Sequence, residues 1–359
     1  MGRSDCLSLK PSRDLKVIEN EQKLVSEMKL LLKLKGFLPF EGLIDIGPVV
    51  EGCRVQGLHL EPKKILSVLG TAEAAEKAKK SILSQRHLCP GIYDLVKDIN
   101  LCGELRESIN KSIHPNGTIR DSASHALKKF RRKKTGLRRD LQKRLEGIKG
   151  SVDPASGDND FLISIRDGRY VIPLRRDKKN RVQGIVHDYS RTQSTCFFEP
   201  IEVIDDNNRI AELNHLEKEE ELRVLEALTS MIGDHTEDLL SSQTILSKLD
   251  GLYARARFSD ILNGVRPVMC RDGNVDLRKA LNPILVCMSS GGETIVPLDI
   301  ILNRDVNVMI ISGPNRGGED RDLEDSGFVE PYGSVRPSHT GRGRKSIAGF
   351  QECSGGDRG

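Results

Sequence analysis

The 359-residue chain is long enough for two or three domains, each with its own hydrophobic core. Its composition, 37% apolar and 30% charged with no Trp and 4% aromatic residues, favours a helical, strongly solvated architecture over a compact β-barrel. Because 56 Lys and Arg residues are balanced by 52 Asp and Glu residues, the net charge of +4 excludes no class of partner, and only local clusters can identify one.

The eight cysteines are scattered and include no Cys-x-x-Cys pair. This spacing favours reduced thiols over a disulfide framework or a zinc site, so we expect a cytoplasmic protein without a structural metal. No apolar run approaches the length of a membrane span, and the first ten residues lack the apolar core of a signal peptide. We therefore expect no membrane partner.

The N-terminal segment 1–114 has the pattern of a helical region. Ser12 and Asp14 can cap a helix whose apolar stripe ends at Gly36. The Gly- and Pro-containing segment 36–52 predicts a connector with little regular structure. Further helices are predicted at 62–81 and 91–109, the second interrupted near Gly103. Its histidines are isolated, as surface and structural histidines usually are, and no catalytic residue is assigned here.

The longest of these first helical patterns, over 116–148, carries a dense basic block beside its apolar stripe. The candidate nucleic-acid-binding residues are Lys128, Lys129, Arg131, Arg132, Lys133, Lys134, Arg138 and Arg139, and Lys143 and Arg144 extend the block. One interpretation is a solvated helix face, as most charge runs are. The other is a track for the phosphates of a nucleic acid, because clustered cations release counterions when they bind a polyanion.

After a polar linker at 150–160, the hydrophobic period becomes that of β-strands. Short strands are predicted at 161–165, 169–174, 184–188 and 195–200, with Arg166-Asp167-Gly168 as a hairpin turn. We therefore expect a small β module between long helices. His187 and Asp188 lie near two serines, but no nucleophile-elbow motif accompanies them, so we assign no hydrolase triad.

A second long pattern over 207–232 is rich in glutamate and predicts a return helix that runs antiparallel to the basic one. Further helices are predicted at 235–249 and 252–262. A mixed α/β segment then begins near Asp276 and leads through 295–300 into an apolar strand.

The apolar strand Val306–Ile311 is followed by the spacing of a phosphate-binding loop. The incomplete loop comprises Gly313, Pro314, Asn315, Arg316, Gly317 and Gly318. A working loop continues with Lys and Ser or Thr, which neutralise the phosphates and hold Mg²⁺, whereas this chain has Glu319 and Asp320. Because these carboxylates repel a nucleotide, we expect the chain to bind neither ATP nor Mg²⁺.

This order of parts resembles the MutS-two family, the second bacterial group of paralogues of the MutS mismatch-repair ATPases. The motifs that carry the resemblance are LPFEGLIDIGP at 38–48, RDGRYVIPLR at 166–175, GIVHDYSRTQSTCFFEP at 184–200, NNRIAEL at 207–213, LYARARFS at 252–259, DLRKALNPIL at 276–285 and VNVMIISGPNRGG at 306–318. The resemblance implies a mainly α fold: a MutS-like helical core with long lever helices and a small β clamp module, then the start of an α/β P-loop ATPase domain.

For the parent family, the resemblance implies a homodimeric ATPase and endonuclease that uses ATP and Mg²⁺ and binds structured or mismatched DNA or collided ribosomes. We expect this chain to be a fragment of such a protein without a competent ATPase. The alternative is a non-catalytic interaction protein or a decayed pseudogene product. The expected segments are a helical region 1–114, a basic lever helix 115–150, a clamp-like module 151–206, return helices 207–270, the ATPase start 271–318 and a tail 319–359.

The chain departs from the family pattern in several places. Leu281 and Asn282 stand where the family usually has Arg and His, and Arg316 stands where it usually has Thr. The family's first helix has no counterpart before Met1, and the match ends after Gly318.

The tail 319–359 has the polar composition of a disordered segment. When its back-translated codons are read one base later from Glu319, they give KTVTLKTLGLL, which resembles the family's continuation. We therefore predict one extra base near the codons of Gly317 and Gly318. Genomic DNA that reads in frame across these codons would contradict this frameshift.

Overall fold

The structure is a computed structural model that describes residues 2–36, 43–55, 57–152, 163–270, 274–288 and 295–302. The chain divides into two compact units. The first comprises Met1–Ile46, Gly70–Leu101 and Glu237–Gly359, and the second comprises Gly47–Leu69 and Cys102–Thr236. Helices dominate the described residues and the sheets are small and antiparallel, in agreement with the expected mainly α class. The segments predicted from the sequence remain predictions.

The elements follow one another in a simple order. The helices are α1 (Gly2–Leu7), α2 (Leu15–Lys35), α3 (Gly47–Gly52), α4 (Pro62–Leu83), α5 (Pro90–Val96), α6 (Gly103–Ser112), α7 (His125–Val152), α8 (Ile204–Asp234), α9 (Thr236–Ile261) and α10 (Pro283–Met288). The strands are β1 (Ser164–Arg166), β2 (Arg169–Arg175), β3 (Gly184–Tyr189), β4 (Thr195–Pro200), β5 (Val275–Ala280) and β6 (Leu298–Leu302). Among the described helices, none combines the length and apolar character that a bilayer span requires.

Helix α2 builds the core of the first unit and begins and ends where the sequence predicted. The Asp14 side chain accepts a hydrogen bond from the Lys16 backbone N–H at 2.9 Å, and Gly36 ends the helix at a positive φ of 79°. The buried face of α2, with Met28 and Leu31 at its centre, packs against residues of α4, α5 and α9. Glu27 from the same helix accepts hydrogen bonds from backbone N–H groups at the start of α5.

The second unit is built on a four-stranded sheet with strand order β1-β2-β4-β3, packed against α7 and α8. The predicted hairpin turn between β1 and β2 is confirmed, since Asp167 and Gly168 both have positive φ, at 48° and 77°. One face of the sheet, including Ile172 and Phe198, joins Leu141 and Leu145 of α7 in a single core cluster.

Two predicted helix boundaries were wrong for local reasons. Helix α7 begins at His125 and not at 116, because Ile113 and Ile119 form an isolated antiparallel bridge around a turn at Gly117, where φ is 87°. Helix α9 runs through Gly251 without the predicted break. A Cβ at Gly251 would lie 2.2 Å from Asp5 Oδ2, so this glycine permits close approach of α1 instead of ending a helix.

Replacing Gly184 with Ala should destabilise the second unit. A Cβ there would lie 2.1 Å from the backbone oxygen of Glu199 on the paired strand β4. The two strands must separate to admit it, so we expect the free energy of unfolding to fall by about 1–3 kcal/mol. The matched control is Gly136→Ala in α7, where nothing beyond the helix's own backbone and the neighbouring residues lies within 4 Å and the change should stabilise by up to about 1 kcal/mol. Similar urea midpoints for both variants would contradict the prediction.

Candidate nucleic-acid interface

Helix α7 buries one face and exposes the other. Leu127, Leu141 and Leu145 are fully buried and lie on the face that packs against the second unit's own core and against α8. Helices α7 and α8 run antiparallel: Arg131 contacts Glu217, whereas Arg144, later in α7, contacts Asp206, which is earlier in α8. The predicted antiparallel return helix is therefore confirmed.

Two of the predicted nucleic-acid-binding residues belong to the contact between the helices, which we call the α7–α8 seam. It comprises Arg131, Lys134, Glu217 and Glu221. Arg131 donates to Glu217 through Nε at 2.9 Å and to Glu221 through Nη2 at 2.6 Å, and its Nη1 donates to Asp121 at 2.6 Å. Lys134 donates to the second carboxylate oxygen of Glu217. The charges of Arg131 and Lys134 are therefore paired with carboxylates of α8 instead of facing the solvent.

The ionisation of the seam follows from burial and from these contacts. Burial works against the charge of Arg131, but hydrogen bonds to Asp121 and Glu221 outweigh it, so the pKa of this guanidinium is raised. Burial lowers the pKa of the Lys134 ammonium, and the neighbouring Arg138 and Arg131 lower it further. The seam therefore serves to hold α7 against α8.

Most of the remaining cations of α7 face solvent, and four of them form a row that we call the cationic stripe: Lys128, Arg132, Arg139 and Lys143. Their separations of four, seven and four positions place them on one side of a helix. At 1.5 Å per residue, the stripe is about 22 Å long. Lys129 and Lys133 are exposed beside it, whereas Arg144 pairs with Asp206 at 2.7 Å.

The stripe carries charge without an aromatic platform. Phe130, the aromatic residue of α7, is half-buried and is not part of the exposed row. Single-stranded nucleic acid is usually held by bases stacked on aromatic side chains, whereas a duplex backbone needs only cations at its phosphates. The geometry of the stripe therefore suits phosphate contacts that do not read sequence.

Arg138 belongs neither to the stripe nor to the ion pairs of the seam. It is half-buried, and its Nε atom is enclosed without a hydrogen-bond partner. Among the described residues, none forms an ion pair with this guanidinium or accepts a hydrogen bond from it, although Arg131 and Lys134 lie on the same flank of the helix.

The β module holds a buried polar cluster that the sequence analysis missed. Glu199 is 0% exposed, and its carboxylate accepts from Arg169 Nη1 at 2.7 Å and from Asn207 Nδ2 at 2.8 Å. His187 Nε2 lies 2.5 Å from its other oxygen. His187 thus contacts Glu199 and not Asp188, which binds Arg166 instead, so the neighbours His187 and Asp188 form no catalytic pair. The nearby Ser190 and Ser194 suggest a triad only by their closeness in the sequence.

The phosphate loop Gly313–Gly318, with Glu319 and Asp320, lies outside the described residues. Of the two unusual positions before it, Asn282 has a clear local role. Its side-chain oxygen accepts from the backbone N–H groups of Ile284 and Leu285 at 2.8 and 3.4 Å, which caps the start of α10.

Comparisons with known proteins give a consistent set of relatives. No family model matches the chain. It is 31% identical over 329 residues to Endonuclease MutS2 of Pelotomaculum thermopropionicum. This alignment covers 92% of this chain and 41% of that protein. It is 31% identical over 332 residues to Endonuclease MutS2 of Bacillus velezensis and 30% identical over 332 residues to Putative endonuclease MutS2 of Bacillus subtilis, with 92% of this chain and 42% of each relative covered. The chain thus spans about two fifths of the length of these relatives.

Proposed function

Because the aligned part of this chain belongs to the MutS2 family, we propose that it binds structured DNA through the cationic stripe of α7. The observation that carries this proposal is the row Lys128, Arg132, Arg139 and Lys143, exposed along one side of a helix whose other side is anchored in the unit. The relatives are named as endonucleases, an activity that acts on nucleic acid and supports DNA as the partner.

The seam divides the predicted track into two parts with different roles. Arg131 and Lys134 hold α7 in place, and the stripe residues present their charges to the solvent. Four phosphate contacts in B-DNA correspond to a slope of about −3.6 in a plot of log affinity against log salt concentration. Between about 50 and 200 mM salt, this slope weakens binding on the order of 100-fold.

A salt titration tests the proposal. Fluorescence anisotropy with a labelled four-way junction, a plain duplex and a ribosomal RNA hairpin measures the affinity for each polyanion. We expect the highest affinity for a DNA that contains a duplex. The slope of log affinity against log salt concentration should lie near the value for four phosphate contacts. Affinity that does not change with salt would leave α7 as a solvated helix face and favour a non-catalytic interaction protein. Tighter binding of the RNA hairpin would make the ribosome the partner.

We also infer from the sequence that the chain does not hydrolyse ATP, although the parent family is an ATPase with ATP and Mg²⁺ as cofactors. Glu319 stands where the loop chemistry needs a lysine at the β- and γ-phosphates, and Asp320 stands where it needs a hydroxyl for Mg²⁺. We expect turnover by the purified chain to be indistinguishable from a buffer blank. Mg²⁺-dependent release of phosphate above that blank would overturn the inference, and ATP-dependent homodimer formation would contradict the expectation that the chain does not bind ATP.

A further inference from the structure

A groove on the first unit lies between α2 and the segment in which α9 ends. The groove encloses about 280 Å³, which is room for one or two side chains and less than a typical small-molecule site offers. Its second wall contains Ser259 and residues 264–267. Polar positions at steps of four, three and four residues follow one side of α2 and form the first wall: Gln22, Ser26, Lys29 and Lys33.

Lys29 fixes the two walls to each other. Its Nζ atom donates to Ser259 Oγ and to the backbone oxygen of Gly264, each at 3.0 Å. The same ammonium lies 3.1 Å from Asp260 Oδ1, so its charge is paired within the unit. These contacts tie the end of α9 to α2, and the groove is therefore formed before a ligand arrives.

The two ends of the groove carry cations that are not paired in this way. Lys33 and Arg266 are both exposed, and neither forms an ion pair with a residue that the structure describes. Arg266 Nε donates to Gln22 Oε1 at 3.3 Å, which places this guanidinium beside the first position of the α2 wall. Lys33 is the last position of that wall, eleven residues or about 16 Å further along the helix.

The groove is apolar between these cations. Val25 lines it and is buried, and Leu30 and Val265 line it with exposures of 38% and 83%. A nucleic-acid backbone needs a close succession of cations and makes no use of an apolar centre. An amphipathic helix, in contrast, places apolar side chains in a groove at spacings of three and four residues. The pattern cation, apolar centre, cation therefore favours a helix with acids at both ends of its apolar face.

We propose that this groove binds an amphipathic acidic helix of a partner protein. Two apolar side chains of that helix, at positions i+4 and i+7, enter the groove, and carboxylates at i and i+11 pair with the cations at its ends. These spacings repeat those of the α2 wall, because two helices that lie side by side have the same rise per residue. The groove belongs to the first unit and the cationic stripe to the second, so this inference does not rest on the proposed function.

Binding of two synthetic peptides by the full chain tests the proposal. The probe is a fluorescein-labelled helical peptide with glutamates at i and i+11, leucines at i+4 and i+7, and alanine and glutamine elsewhere. The second peptide carries lysines in place of both glutamates. By fluorescence anisotropy, we expect the glutamate peptide to bind at least about tenfold more tightly than the lysine peptide, because like charges repel at both ends of the groove in the second case.

Reversing the cations of the groove should reverse this preference. The variant that carries Lys33→Glu and Arg266→Glu should bind the lysine peptide more tightly than the glutamate peptide. The matched control carries Lys16→Glu and Lys35→Glu, two exposed lysines of α2 outside the groove, and should keep the preference of the unaltered chain. Both variants change the net charge by the same amount.

Three results would overturn the proposal. If the unaltered chain binds both peptides equally, or binds neither, the groove is not a site for an acidic helix. If the groove variant and its control change the preference equally, the overall charge governs binding. If the groove variant loses affinity for a DNA duplex but not for the glutamate peptide, its cations contact nucleic acid instead. Should circular dichroism show that the groove variant does not fold, the two peptides decide on the unaltered chain alone.

Discussion

Reversing the four charges of the cationic stripe should weaken binding of duplex DNA by at least about 100-fold at low salt and remove most of its salt dependence. The variant carries Lys128→Glu, Arg132→Glu, Arg139→Glu and Lys143→Glu. Each change replaces a phosphate-contacting cation by an anion that repels the backbone, so the loss exceeds that of simple neutralisation. The measurement is fluorescence anisotropy with a labelled duplex over a range of salt concentrations.

A matched control separates this local effect from the change in net charge. The control variant carries Lys16→Glu, Lys63→Glu, Lys64→Glu and Lys77→Glu, four exposed lysines outside α7. Both variants change the net charge by the same amount, and substitutions at exposed positions usually alter stability little. We expect the control to lose far less affinity than the stripe variant. Equal losses would mean that the overall charge, and not the row on α7, governs binding.

Replacing Glu199 with Ala should lower the free energy of unfolding by about 3–5 kcal/mol, because it breaks a buried ion pair by removing one partner. The carboxylate is fully buried and accepts from Arg169 and Asn207, with His187 beside its other oxygen. Its removal takes away the acceptor that the half-buried Arg169 guanidinium and the buried Asn207 amide share. Asn207 lies in the first turn of α8 and also bonds to the backbone of Tyr170, so the change loosens the join between helix and sheet.

The control for this prediction is Asp188→Ala. Asp188 also pairs with an arginine, Arg166, at 3.2 Å, but this pair is exposed and should contribute only about 0–1 kcal/mol. Urea unfolding followed by far-UV circular dichroism gives both values, with the slope of each transition checked for two-state behaviour. If the two variants have the same stability, the buried cluster around Glu199 is not a stabilising join.

Much of the fold was predictable because its signals are local. Asp14 and Gly36 bracket α2, and Asp167-Gly168 closes the first hairpin, since each position demands a particular side chain or a positive φ. The start of α7 was not predictable in this way. The apolar period continues backward through Ile119, but that residue pairs with Ile113 in a bridge, a contact that helical periodicity does not encode.

The interface was predictable only in outline. The spacing of apolar residues in the sequence shows which face of α7 is buried. It cannot show that Arg131 and Lys134 contact carboxylates, because those contacts depend on the register in which α7 packs against α8. A search for acids at matching heptad positions on the return helix could have found Glu217 and Glu221. Glu199 gave a weaker signal, a single acid within an apolar strand, whose partners come from separate segments.

The division of the first unit into three chain segments has a consequence for its synthesis. Its core joins Leu24 and Met28 of α2 to Leu246 and Ala256 of α9, which are separated by the whole of the second unit in the chain. During translation from the N-terminus, the second unit can close its core while α9 is still being made. Helices α4 and α5 can cover part of the apolar face of α2 early, but the part that α9 covers stays exposed to water or a chaperone until more than two thirds of the chain has emerged.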